Sequence, residues 1–167
     1  MRNILYVEDE KNIIDDLQRF YDQFKSKEDW HVNGFLVSSE EANEKKVIKK
    51  ANECNAEVIV LDMRFHKKDW SGLNLIEPLY QDNPLRPIIV CTVHTNEKPR
   101  LRKIFEKGAW DYLFKDTTPN HEFNGVPNFI PELEKKITNA SRYRFENSSK
   151  DNIFFVSNGV PYFCLLH

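Results

Sequence analysis

Cysteine is scarce: Cys54, Cys91 and Cys164 are widely spaced, and none stands in a CxxC pair. That excludes a disulfide framework and gives no zinc signal, which fits a reducing compartment. An excess of charge of one sign is also lacking. With 24 basic and 26 acidic residues the formal net charge is −2, so there is no global basic field of the kind a nucleic-acid binder carries. No apolar run approaches the roughly 20 residues that cross a bilayer. The opening MRNILYVEDE passes from a short apolar run straight into acid, which fits neither a signal peptide nor a targeting helix. The expectation is a cytoplasmic protein with no direct nucleic-acid or membrane partner. At 167 residues the chain has the length of one ordinary domain with room for a small appendage.

What is present is alternation. Ile4 to Val7, His31 to Val37, Ala56 to Leu61, Pro87 to Thr92 and Trp110 to Phe114 are short apolar runs rich in β-formers, the pattern of strands buried on both faces. Between the first two, Ile13, Ile14, Leu17, Phe20, Tyr21 and Phe24 recur at helical spacing from Lys11 to Lys25. SSEEANEKKVIKKANE reads as a polar helix capped by Ser38 or Ser39. SGLNLIEPLYQD reads as a third helix that Pro78 should bend. Leu101, Ile104 and Phe105 mark a fourth, ending near Gly108. Strands separated by helices require crossovers and so a parallel sheet covered on both faces, a doubly wound α/β domain. Ligands of such sheets bind outside the carboxyl ends of the strands.

Those ends carry a consistent chemistry. The first strand runs into Glu8, Asp9 and Glu10; the third ends on Asp62, the fourth on Thr92 and the fifth on Lys115. Carboxylates gathered on one rim repel unless a cation neutralises them. Mg2+ suits the task, because it takes a few carboxylates together with water and phosphate oxygens. Beside such an ion Asp62 has the position of a nucleophile toward a phosphoryl group, with Lys115 and the Thr92 hydroxyl placed to hold phosphoryl oxygens.

In this order, ILYVEDE, VIVLDM, SGLNLI, PIIVCT and KGAWDYLFKD resemble the motifs of the receiver domain of two-component response regulators, the CheY-like superfamily. The resemblance runs from Met1 to Lys115 and includes a last helix near Pro131 to Tyr143. It implies a flavodoxin-like (βα)5 fold with strand order 2-1-3-4-5. It further implies that Asp62 accepts phosphate from a sensor histidine kinase or phosphotransfer protein. Glu8, Asp9, Asp62 and the main-chain carbonyl of Arg64 would hold Mg2+. Thr92 and Lys115 would sense the phosphoryl group, and Tyr112, three residues before the lysine, is the aromatic switch. Such a protein is a signalling switch that turns over no external substrate. The competing reading is a pseudo-receiver, a protein-interaction module working without phosphate. A dehalogenase-type phosphohydrolase needs a second acid two positions after Asp62, where Arg64 stands. A dinucleotide-binding domain needs a glycine-rich turn where the sequence has EDEKN.

Several stretches depart from the family pattern. MRFHKKDWS, after Asp62, is longer and more basic than usual; Val93 follows Thr92 where a smaller residue is common; and Asp116 replaces the proline that usually follows the lysine. Residues 116–130 form an insertion before the last helix, long enough to be functional or disordered. In receivers the face made by helix 4, strand 5 and helix 5 is read by partners, and here Lys98, Arg100, Arg102, Lys103 and Lys107 make the fourth helix basic. The expected division is a receiver domain over 1–145 and a linker with a C-terminal extension over 146–167. Asn158-Gly159 between apolar runs signals a β-hairpin in that extension. Its aromatic residues should be covered, on the receiver or across a homodimer.

Overall fold

In a computed structural model of the chain the described residues are 2–24, 30–37, 43–65, 71–93, 98–115, 122–123, 126–148, 154–157 and 160–163. Strand β1 (Arg2–Glu8) is followed by α1 (Lys11–Phe24), β2 (Trp30–Leu36), α2 (Glu44–Glu53), β3 (Val58–Asp62), α3 (Gly72–Asp82), β4 (Ile88–Thr92), α4 (Lys98–Glu106) and β5 (Asp111–Phe114). These five strands form one parallel sheet in the order β2-β1-β3-β4-β5, the flavodoxin-like order expected from the sequence. Two-residue strands β6 (Glu122–Phe123) and β7 (Val126–Pro127) pair antiparallel within the 116–130 stretch, and α5 (Phe129–Ser148) follows. Strands β8 (Phe154–Ser157) and β9 (Val160–Phe163) pair antiparallel, Ser157 opposite Val160.

The apolar runs alternate between two cores because successive strand residues point to opposite faces. Ile4, Tyr6, Val58, Val60, Ile89 and Cys91 pack beneath α1 and α5, against Leu17, Leu133 and Ile137. Leu5, Val7, Ile59, Leu61, Ile88 and Val90 pack on the other side against Val47, Leu75 and Ile104 of α2, α3 and α4. From β1 the chain crosses to β2 on one side and later returns to β3 on the other. The crevice at that switch point opens between the carboxyl ends of β1 and β3, where Glu8 and Asp62 stand. At the opposite end of the strands Arg86, 6% exposed, ties Asn52 of α2 (2.7 Å) to Asp82 of α3 (3.3 Å).

Two local expectations, the cap of α2 and the bounds of α5, are revised. The cap of α2 is Asn43, whose side chain accepts from the Lys46 amide at 3.1 Å; Ser38 and Ser39 lie outside the described residues. Asn43 caps as well as serine and directly precedes Glu44. Pro78 lies inside a continuous α3; the carbonyl it leaves without a helical donor belongs to Asn74, an exposed residue that water can serve. Helix α5 starts two residues before Pro131, placing that proline in its first turn, and runs past Tyr143 and the expected linker start to Ser148. The Asn158-Gly159 turn and the side chains of the extension lie outside the described residues, and with them the question of what covers its aromatics.

Candidate functional site

The parallel register sets the site. Asp62 is the last residue of β3 and pairs with Cys91 of β4, while Glu8 ends β1 and pairs with Leu36 of β2. Both carboxylates are buried despite their charge. The turn after β1 wraps its amides toward Glu8: Oε1 accepts from the N–H of Asp9 at 3.1 Å and of Glu10 at 3.4 Å. Asp62 Oδ2 accepts from the Arg64 N–H at 2.7 Å, which sets the backbone at residue 64 beside the carboxylate.

Lys115 joins the two acids. Its N–H donates to the Thr92 carbonyl at 2.7 Å, carrying the β4–β5 pairing one residue past Phe114. That bond fixes the direction of the chain where the family usually relies on a following proline. The ammonium then points inward, 2.5 Å from Glu8 Oε2 and 2.7 Å from Asp62 Oδ1, and Lys115 is only 4% exposed. Thr92 is half-buried at the end of β4. Glu8, Asp9, Asp62, Lys115 and Thr92 are therefore brought to one rim. Tyr112 is not part of it. Its ring lies 6.0 Å from that of Phe105, edge-on, on the exposed margin of β5. Beside it a groove of about 460 Å3 runs between β5 and α5, lined by Tyr112, Phe114, Phe129, Glu132 and Lys136 among others. His66 and His94 lie outside the described residues.

Burial and mutual repulsion define the electrostatics. Burial pushes Glu8 up to about 7 even though Lys115 pulls the other way, and burial likewise raises Asp62 against the same ammonium. Burial draws the Lys115 ammonium down, but Asp62 and then Glu8 outweigh it and the net shift is upward. One cation among three acids leaves the rim negative. One oxygen from each of Glu8, Asp9 and Asp62 lies within 4.8 Å of the others, so the donors are hard, converging and under-neutralised, as a hard divalent cation requires. Cys91, beside Asp62 on the neighbouring strand, is pushed by burial to about 12, which makes it an inert core thiol at neutral pH.

Gly72, read from the sequence only as part of a helix start, has a second role. A Cβ at Gly72 would stand 2.0 Å from the Asp62 carbonyl oxygen. Its own N–H donates to the Met63 carbonyl at 3.3 Å, so the first turn of α3 rests on the backbone at the end of β3. Ser71 precedes it as N-cap, its amide donating to Asn74 Oδ1 at 3.3 Å. The sequence signal was a glycine where any helix former would serve equally well.

A family model described as "Response regulator receiver domain" matches residues 4–123. The chain belongs to this family. Solved structures agree in fold. The response regulator domain of Thermotoga maritima CheB is 21% identical with a TM-score of 0.65, over 85% of this chain and 97% of that one. A response regulator receiver domain protein from Clostridium thermocellum is 21% identical with a TM-score of 0.64, over 88% and 99%. The response regulator TrrA from Thermotoga maritima, solved with Mg2+ and BeF, is 21% identical with a TM-score of 0.57, over 84% and 99%. Comparison with curated proteins gives no match. As a receiver domain the chain is a signalling module of two-component systems, of a family that binds Mg2+ at an acidic pocket. Among the described residues no helix is long and apolar enough to cross a membrane.

Proposed function

We propose that the protein is a phosphorylation-controlled switch in which Asp62 is the phosphoacceptor. The observation that carries this reading is the buried Lys115 ammonium shared between Glu8 and Asp62 at the mouth of the switch-point crevice. An Asp62 oxygen forms a bond to phosphorus as the bond to the donor's imidazole nitrogen breaks, the donor being a histidine kinase or phosphotransfer protein. The oxygens of Glu8, Asp9 and Asp62, with the main-chain carbonyl of Arg64, would hold Mg2+. Bound there, the ion supplies neutralisation of the phosphoryl oxygens. Lys115 and the Thr92 hydroxyl take those oxygens as the added charge, about −1.5 to −2, reaches the rim. Movement of Thr92 and Tyr112 then alters the α4–β5–α5 face, where the groove beside Tyr112 offers a surface for a downstream protein. Residues 1–145 act as the receiver and 146–167 as an output extension bearing on the partner or on homodimerisation. The setting is the cytoplasm.

The test is intact mass of the full chain treated with a small-molecule phosphodonor and Mg2+, beside Asp62→Ala. One phosphoryl adduct in the wild type and none in the variant is expected. No adduct on folded wild type, with a control receiver labelled in parallel, would replace this reading by a phosphate-independent binding module.

A further inference from the structure

Two of the five large apolar side chains that stay exposed among the described residues, Tyr112 and Phe114, share β5, the edge strand of the sheet. The other three stand on separate segments: Leu36 on β2, Leu85 before β4 and Val93 after it. Both β5 aromatics line the groove toward α5, with Leu113 and Phe129. At about 460 Å3 it has the size of pockets that bury whole small ligands, with room for more than one aromatic side chain.

The polar groups of the groove narrow the choice of occupant. Lys136 is the one cation among its lining residues, and Asp111 Oδ2 holds it at 2.6 Å. Oδ1 of the same carboxylate accepts from the Tyr112 N–H at 2.7 Å, which blunts the strand edge against a further strand. An acidic peptide finds no free positive charge there, and an added strand finds that donor taken. An uncharged segment that inserts aromatic side chains meets neither obstacle.

The chain carries such a segment. Residues 152–166 include no charged side chain, and the β8–β9 register sets Phe154 opposite Phe163 and Phe155 opposite Tyr162. A two-stranded hairpin is marginal in water by itself and gains stability by packing on a helix. Reach is sufficient. Glu132 lies sixteen residues before the end of α5 at Ser148, about 24 Å back along the helix. The five residues 149–153 span up to about 17 Å, and a four-residue strand adds about 13 Å, so a hairpin folded back along α5 arrives at the groove. With so short a tether the effective concentration is on the order of millimolar, and weak docking keeps the groove covered.

We propose that the groove between β5 and α5 is the docking site of the chain's own C-terminal hairpin, which inserts aromatic side chains beside Tyr112 and Phe114. The hairpin is then a tethered competitor on that face, and a downstream protein must displace it. The docking does not depend on phosphorylation of Asp62.

The experiment uses the full chain with Phe155 replaced by the photoreactive p-benzoylphenylalanine, as an equal mixture of isotopically light and heavy protein. Irradiation followed by peptide mass mapping should give crosslinks within one chain, to residues 112–114 or 129–136. In the same chain Phe114→Asp, a charge placed at an exposed position of the groove wall, should lower their yield about tenfold. Crosslinks that join light to heavy chains assign the hairpin to a second copy and overturn the proposal, as do crosslinks that miss the groove or a yield that a folded Phe114→Asp leaves unchanged. Should that variant fail to fold, the crosslink map of the chain without it decides alone. Intact mass with a phosphodonor tests the phosphoacceptor reading separately, so the two failures are told apart.

Discussion

Replacing Gly72 by alanine is the sharpest steric test of how the fold holds the candidate phosphoacceptor. The added Cβ would lie 2.0 Å from the Asp62 carbonyl oxygen, 3.0 Å from its carbonyl carbon and 3.1 Å from the Met63 Cα. Contacts of a real Cβ essentially never fall below 3.0 Å, so the start of α3 and the end of β3 must separate by about 1 Å from an interaction of backbone with backbone. No side chain can rotate away to relieve it. Overpacking of this kind costs roughly 1–3 kcal/mol, and the rigid partner places this case near the top of that range. Exchange of glycine for alanine in a helix returns at most about 1 kcal/mol, less at the first position. A net loss of about 2 kcal/mol lowers the melting temperature of a chain this size by about 4–8 °C. A shift of about 1 Å at a reacting group costs on the order of a hundredfold in rate, so phosphorylation of Asp62 should suffer more than stability does. Thermal denaturation followed by circular dichroism and the time course of the phosphoryl mass measure the two effects. Gly34→Ala is the control, because its Cβ would meet only the side chain of Ile14, at 2.8 Å from Cγ2, and that side chain can change rotamer. If Gly72→Ala melts within about 2 °C of wild type and is phosphorylated at the same rate, or if Gly34→Ala is the worse of the two, the steric argument is wrong.

Two further outcomes follow from the charges. Glu8 titrates at about 7 in the fold against an ordinary value of 4.5; its contribution to stability is therefore fully present below about 4.5 and is lost as pH rises through about 7, by at most about 1.4 kcal/mol per unit. In Mg2+-free buffer the slope of urea stability between pH 5 and 8 should flatten in Glu8→Gln, and an unchanged slope would assign the titration to another group. Lys115→Met leaves two buried carboxylates without their cation, a loss of about 3–5 kcal/mol at pH 8. Acidification to pH 5.5 should recover part of it as Glu8 and Asp62 take up protons, and a deficit equal at both pH values would show that the ammonium does not neutralise them.

The residues legible in the sequence were those whose chemistry is out of place in their surroundings. A carboxylate ending an apolar strand, as Asp62 does, stands out because burying charge is expensive, and the polar groups at four strand ends, Glu8 to Glu10, Asp62, Thr92 and Lys115, turned that oddity into a candidate site. Lys115 lies 107 positions from Glu8, and no local pattern joins them; the doubly wound topology does, by placing every strand's carboxyl end on one rim. What escaped was decided by distance and by the choice among equivalents. Ser38, Ser39 and Asn43 are all competent caps, and only the point where α2 begins selects Asn43. Asp116 in place of proline removed the usual device for aiming the lysine, while the bond from the Lys115 amide to the Thr92 carbonyl, which aims it here, belongs to the backbone and has no residue signature. Gly72 reads as a permissive helix start, since its necessity arises from the closeness of α3 to the Asp62 carbonyl. Charge thus marks where a reaction can occur, whereas the tight packing of an uncharged neighbour, Gly72 against the Asp62 carbonyl, determines the geometry from which that reaction starts.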